Sequence, residues 1–251
     1  RERLRPPVIE PDGGAPFAED RQLAILGEGS ASVRLDNGRF AVTASGSSLA
    51  LAAEADVTVC QGAPVLELLE RKTLSDATVE RALLEARVDG SAKRPGIESI
   101  FHAWLLTLED VRCVGFCHPV AVSQVLASPR ARDFAEHRLF PDEIRLCGVA
   151  SVYVPYADPG LPLAWQIRER TRDFIREHSS VPRLILVQNR GVIGLGGTGP
   201  AVLATLLMAN KAALIFSGAA AMGGPTFLLP QHVDRIVVRT EGASRQRPLG
   251  S

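Results

Sequence analysis

The sequence predicts an α/β protein whose sheet contains at least one antiparallel pair, and two observations carry that expectation. Short apolar runs near Val57 and at 111–116, 150–154 and 184–187 alternate with stretches of helical periodicity. Between apolar runs at 33–35 and 40–43 stands Asp36-Asn37-Gly38, and Asn-Gly in that position is a strong hairpin signal.

The elements follow in chain order. Residues 1–16 are polar, carry Pro6, Pro7, Pro11, Gly13 and Gly14, and read as a flexible N-terminal segment. A helix is expected over 17–26, ahead of a turn at Gly29, and then the hairpin. Ser75 is a candidate N-cap for a helix within 74–90, with Leu83, Leu84 and Val88 on one side. Pro95 fits the first turn of a helix running to about Leu108, whose apolar stripe is Ile97, Phe101, Trp104 and Leu108. Glu98 and His102 then lie one turn apart on a flank of that stripe. Arginines 168, 170, 172 and 176 crowd another helix, interleaved with Glu169, Asp173 and Glu177, which predicts a solvated face. From Thr240 the periodicity is lost, so 239–251 reads as a flexible tail and 17–238 as one domain.

Size and charge narrow the function classes. With 251 residues, 46% hydrophobic and 22% charged, the chain suits a single core. Formal net charge is zero and no basic stripe is concentrated, which argues against nucleic acid. The run 200–224 is Ala- and Leu-rich and nearly long enough to span a bilayer, but Asn210-Lys211 falls at its centre. Burying that ammonium would cost roughly 3 kcal/mol on insertion scales, so a buried core or subunit-interface helix is expected, and no membrane. No signal peptide is visible, although a start at Arg1 leaves room for a trimmed upstream segment. Cys60, Cys113, Cys117 and Cys147 have no Cys-x-x-Cys spacing and read as reduced thiols of a cytoplasmic protein.

Chemistry concentrates in two short segments, 94–119 and 188–196. In an extended strand, residues 116 and 118 project from one face while Cys113 and Cys117 belong to the other. Two imidazoles there would grip a metal; the pair present is Phe116 and His118, and a phenyl ring has no lone pair to donate. Cys117 beside His118 is therefore a packed thiol rather than an activated nucleophile. Gly194-Leu195-Gly196-Gly197-Thr198-Gly199 satisfies G-x-G-x-x-G, but only Val192-Ile193 directly precede it and no acidic residue follows on a second strand, so a dinucleotide site is not expected.

In order and spacing, these motifs resemble the class II aldolase/adducin family, which includes fuculose- and rhamnulose-phosphate aldolases. Gly29-Ser30-Ala31-Ser32-Val33-Arg34 resembles the family's Gly-Asn-x-Ser-x-Arg loop, and Thr43-Ala44-Ser45-Gly46 its Thr-Pro-Ser-Gly turn. Pro95-Gly96-Ile97-Glu98, with His102, resembles the Pro-Ser-x-Glu-x-x-x-His element that carries the acid/base. Phe116-Cys117-His118-Pro119 stands where the family has His-Thr-His-Pro, and Asn189-Arg190-Gly191 where it has Asn-His-Gly. Residues 74–90 are longer than in the small fuculose-type enzymes and are similar to the aldolase half of bifunctional rhamnulose-phosphate aldolase/dehydrogenase proteins.

The resemblance implies a three-layer α/β/α sandwich around a largely antiparallel or mixed sheet, and a homo-oligomer, as a tetramer. It also implies an anion-cradling pocket at Gly29, Ser30, Ser45, Gly46 and Gly96, with Glu98 as the catalytic residue. Of three zinc ligand positions only His118 survives. A single imidazole does not retain zinc, since sites supply at least three protein groups, and the Arg190 guanidinium cannot coordinate. No cofactor is therefore expected, unless zinc or another divalent metal is held by residues outside the motif. The reading is a class II aldolase-like protein with a degenerate metal site. It binds a small anionic, sugar-like ligand through Arg190 and lacks zinc-dependent retro-aldol activity. Two alternatives stand beside it: a working metal-dependent aldehyde-lyase of carbohydrate metabolism, and a non-catalytic structural homo-oligomer. Bland roles also remain for single residues. His118 could be a strand-end imidazole bonded to backbone, Glu98 a first-turn carboxylate favoured by the helix dipole or an internal partner of Arg190, and Gly29 and Gly46 mere turn formers.

Overall fold

The computed structural model describes residues 23–25, 28–49, 51–71 and 73–245. The expected N-terminal segment lies outside them. So does most of the helix expected at 17–26, and its described part, 23–25, is not helical.

A seven-stranded sheet forms the middle layer. Its strands are β1 (Ser30–Arg34), β2 (Arg39–Thr43), β3 (Val57–Gln61), β4 (Cys113–Cys117), β5 (Val152–Val154), β6 (Leu184–Val187) and β7 (Gly191–Gly196). They stand in the order β3-β2-β1-β4-β7-β6-β5, and only the β5–β6 pair is parallel. The expected hairpin joins β1 to β2, with Asn37 and Gly38 at φ of 59° and 69°, the left-handed region that a tight turn between twisted strands requires. The β5–β6 crossover is the long arginine-rich helix, as a parallel connection demands.

The helices are α1 (Gly62–Glu67), α2 (Asp76–Glu85), α3 (Ser99–Leu105), α4 (Val120–Leu126), α5 (Ala131–Glu136), α6 (Pro141–Cys147), α7 (Leu161–His178), α8 (Gly199–Ala221) and α9 (Pro230–Arg245). Strand alternation divides them between the two faces. Ile185, Val187, Ile193 and Phe116 face a core built with α1, α2, α3 and α7. Leu184, Leu186, Val192 and Cys117 face a second core built with α4, α5, α6 and α8. The three layers of the expected sandwich result.

Local signals explain several boundaries. Ser75 caps α2 as expected, its hydroxyl accepting from the Thr78 N–H at 3.3 Å. Past α2 the chain returns along the outer edge of β3: Gln61 N–H donates to Ala86 O, Val88 N–H donates to Val59 O, and Cys60 and Arg87 bridge. Pro95 does not open a helix. It pairs with Ala44 in an isolated bridge, and α3 begins only at Ser99, all seven of its residues buried. The β-like pairing of 94–95 with 44–45 overrides the preference of proline for a first helical turn.

α8 is the one described helix long and apolar enough, by length and composition, to cross a membrane. Its buried face, including Val202, Leu206, Ala209 and Ala213, packs on the sheet. A Cβ on Gly194 would sit 3.0 Å from Leu206 Cγ, so this glycine of the G-x-G-x-x-G run lets helix and strand approach closely. α9 continues to Arg245, beyond the point where the sequence loses its periodicity.

Candidate functional site

One cavity of about 470 Å³ opens between the β1 and β2 ends, the 94–99 segment and α2. It gathers most of the sequence-predicted residues: Gly29, Ser30, Ser45, Gly46, Gly96, Glu98 and His118 all line it. Arg190 joins from the β6–β7 turn, where Asn189 takes a φ of 54°, and its Nη2 donates to Glu98 Oε1 at 3.3 Å. That contact is long for a charge-assisted bond and involves one oxygen only. Both side chains keep some exposure, 21% for Arg190 and 25% for Glu98.

Phe116, His118 and Arg190, at the positions where the resemblance implies metal ligands, lie close together. Phe116 and His118 share a face with ring centroids 4.6 Å apart, and the Arg190 guanidinium lies 5.9 Å from the Phe116 ring, a cation–π contact. A divalent cation does not fit this set: one imidazole, one phenyl ring and one permanent cation provide a single lone pair. Among the described residues no three His, Cys, Asp or Glu side chains converge to hold a metal. Burial and the nearby Arg190 charge push His118 down to about 4, so its imidazole is neutral around physiological pH.

Gly191 is required where β7 meets β4. A Cβ there would lie 2.5 Å from Cys117 O and 2.8 Å from the His118 ring. Gly29, at a φ of 84°, is held under Leu49 and Phe116 O, with its missing Cβ only 2.8 Å from that carbonyl. These two glycines set how closely the walls approach, and neither could be replaced without shifting backbone.

The anion cradle expected from the two loops is only partly available. The Ser30 hydroxyl bonds His102 Nε2 and the Ser32 hydroxyl bonds His102 Nδ1, both at 2.7 Å. His102 is fully buried, and desolvation drives its pKa down to about 3, so the ring is neutral: one serine donates to its bare nitrogen and the other accepts from its N–H. The imidazole thus pins α3 to β1 rather than facing a ligand. The Ser45 N–H donates to Arg94 O at 2.8 Å, and the Ser47 hydroxyl to Asp56 at 3.2 Å. Ser30 and Ser45 line the cavity, but the Ser30 hydroxyl and the Ser45 N–H already have partners.

Two residues that the motifs did not single out contribute instead. The Arg94 guanidinium reaches over the turn, donating to Ser45 Oγ at 3.3 Å and pairing with Glu80 of α2. Ser99, fully buried at the start of α3, leaves its Oγ without a partner, as do His118 Nδ1 and Arg190 Nε. Unpaired buried polar atoms are uncommon in a finished core, and three cluster around Glu98. The available sequence signal was a serine directly after the motif carboxylate Glu98. Charges nearly balance: Glu28, Glu80 and Glu98 line the wall with Arg94, and Arg190 reaches Glu98. An anion entering here must displace a carboxylate from a guanidinium.

Fold and site define a class II aldolase-type α/β sandwich, and comparison with known proteins agrees. Residues 16–216 match the Class II Aldolase and Adducin N-terminal domain, and the chain belongs to that family. An uncharacterized oxidoreductase of Bacillus subtilis (strain 168), YuxG, is 25% identical over 190 residues, which is 72% of this chain but 25% of that protein. The chain thus spans about a quarter of the length of this curated relative. Among solved structures, the N-terminal class II aldolase domain of a conserved Thermoplasma acidophilum protein superposes with a TM-score of 0.62 at 20% identity, covering 83% of this chain and 96% of that one. An L-fuculose 1-phosphate aldolase gives 0.63 at 16% identity, covering 86% and 87%. YgbL of Escherichia coli, a putative aldolase/epimerase/decarboxylase, gives 0.62 at 15%, covering 88% and 91%. At these identities the structures speak for the fold.

Proposed function

We propose that this protein uses the class II aldolase pocket to bind a small anionic, sugar-like compound without a metal, and that it lacks zinc-dependent retro-aldol activity. The observation that carries this reading is the single, long Glu98–Arg190 contact beside unpaired Arg190 Nε, His118 Nδ1 and Ser99 Oγ. A ligand carboxylate or phosphate can take Arg190 in a two-point grip that Glu98 does not make. The exchange frees Glu98 over the ligand's carbon skeleton, where a carboxylate can accept a proton from carbon, while neutral His118 hydrogen-bonds a ligand hydroxyl or carbonyl. A family aldolase relies on a Lewis acid to hold the enediolate. Here that charge would rest on the Arg190 guanidinium and the neutral donors beside it, so cleavage of sugar phosphates by the zinc route is expected near background.

Homo-oligomeric assembly is part of the same proposal. It is supported by the apolar residues that α8 leaves at the surface, Leu214 and Ile215 among them, and the class II aldolase tetramer is the arrangement we expect. A cytoplasmic setting suits four free cysteines. Calorimetric titration with small sugar phosphates and hydroxy acids, on metal-analysed protein and on Arg190→Ala, tests the binding reading. Micromolar to millimolar binding that is lost in Arg190→Ala is expected. Binding indifferent to that substitution would instead make Glu98–Arg190 a structural ion pair, and a chelator-removable metal bound through His118 would restore the metal-dependent lyase.

A further inference from the structure

The cavity has a second guanidinium that the first reading leaves unused. Arg94 and Glu98 stand at the two ends of one short segment. Glu98 meets Arg190, whereas Arg94 turns the other way, over Ser45, and pairs with Glu80. Arg94 is 41% exposed and Glu80 54%, so water screens their attraction and holds the pair only weakly. Glu80 is carried on α2, whose Val79 and Leu83 form the apolar lining of the same end. The turn below supplies little of its own: Ser45 N–H and the Ser47 hydroxyl are already bonded, as described above. Gly96 and Ile97 add no hydroxyl between the two guanidinium groups. Any acidic group at this end would find its charged donor in Arg94.

We propose that Arg94 is a second acid-recognition residue, that the ligand carries an acidic group at each end, and that Glu80 is the internal counter-ion the second acid displaces. This rests on the metal-free ligand reading above. One ligand acid engages Arg190 and releases Glu98; the other engages Arg94 and releases Glu80; the hydroxylated chain between them lies along Glu98 and His118. The ligand class is therefore a polyhydroxy acid with a carboxylate or phosphate on its far carbon, rather than a neutral-ended sugar acid.

Matched probes test this by calorimetry: D-gluconate, with one acidic end, against D-glucarate and a phosphorylated gluconate, with two. The intact protein is expected to prefer the two-ended probes by about tenfold, the worth of a hydrogen bond to a charged group at a partly exposed site. The two arms show whether carboxylate or phosphate is favoured. Arg94→Ala should abolish the preference, weakening the two-ended probes about tenfold more than gluconate. Glu80→Gln, which removes the competitor, should tighten two-ended probes by about two- to fivefold more than gluconate, a gain that misfolding cannot imitate. Equal affinity for all three probes in the intact protein, or a preference that survives Arg94→Ala, overturns the proposal while Arg190-dependent gluconate binding still supports the first reading. Binding of none of the probes overturns both.

Discussion

Acidification probes the joint between α3 and β1. His102, buried between the Ser30 and Ser32 hydroxyls, has its pKa driven by desolvation from an ordinary 6.5 to about 3. In the unfolded chain the same imidazole takes up a proton below about pH 6.5, which the folded protein refuses. Its contribution to stability is thus complete above about pH 6.5 and is lost progressively as pH falls toward the folded value. The slope is about 1.4 kcal/mol per pH unit, so between about pH 7 and pH 5 His102 alone removes about 2 kcal/mol, and about 5 kcal/mol by pH 3. Urea midpoints measured across that range read the loss. His102→Gln, which keeps a donor and an acceptor but does not titrate, is expected to flatten the slope by that amount. An imidazole pKa near its ordinary value by nuclear magnetic resonance, or identical slopes in the two proteins, would refute the reasoning.

Ser32→Ala leaves one buried imidazole nitrogen without a partner and should cost about 1–3 kcal/mol in the same urea assay. Gly191→Ala places a methyl 2.5 Å from Cys117 O and should cost about 2 kcal/mol or more, seen as a lower thermal midpoint. The purified protein should carry no stoichiometric zinc by elemental analysis, whereas Phe116→His with Arg190→His, which sets imidazoles around His118, should acquire about one zinc per chain. Light scattering at micromolar concentration should give a mass above the 26.9 kDa monomer, and Leu214→Glu with Ile215→Glu should lower it.

What the sequence revealed was mostly local. The hairpin follows from two adjacent residues that tolerate positive φ, and the shared face of Phe116 and His118 follows from strand periodicity alone. The cavity membership of Gly29, Ser45, Gly46, Gly96 and Glu98 came from motif order. What was hidden depends on partners far along the chain. Nothing near Ser30 announces that its hydroxyl is engaged 72 residues away, and nothing near Pro95 announces the bridge to Ala44 that keeps it out of a helix. Nothing near Arg94 announces that its side chain reaches the turn folded from residues 43–46. Ser99 was hidden by its burial, which no single-residue preference encodes.

The course of the chain after α2 bears on how copies of this protein can meet. Residues 86–88 lie along the rim of β3 and occupy backbone groups that a foreign strand would need, while the opposite rim, β5, is only three residues long. Open rims invite strand-by-strand growth into fibres; these are closed or too short to template it. Among the described residues this leaves helical faces, where side-chain shape rather than backbone hydrogen bonding would select a neighbour. Such contacts can close into a ring of fixed size.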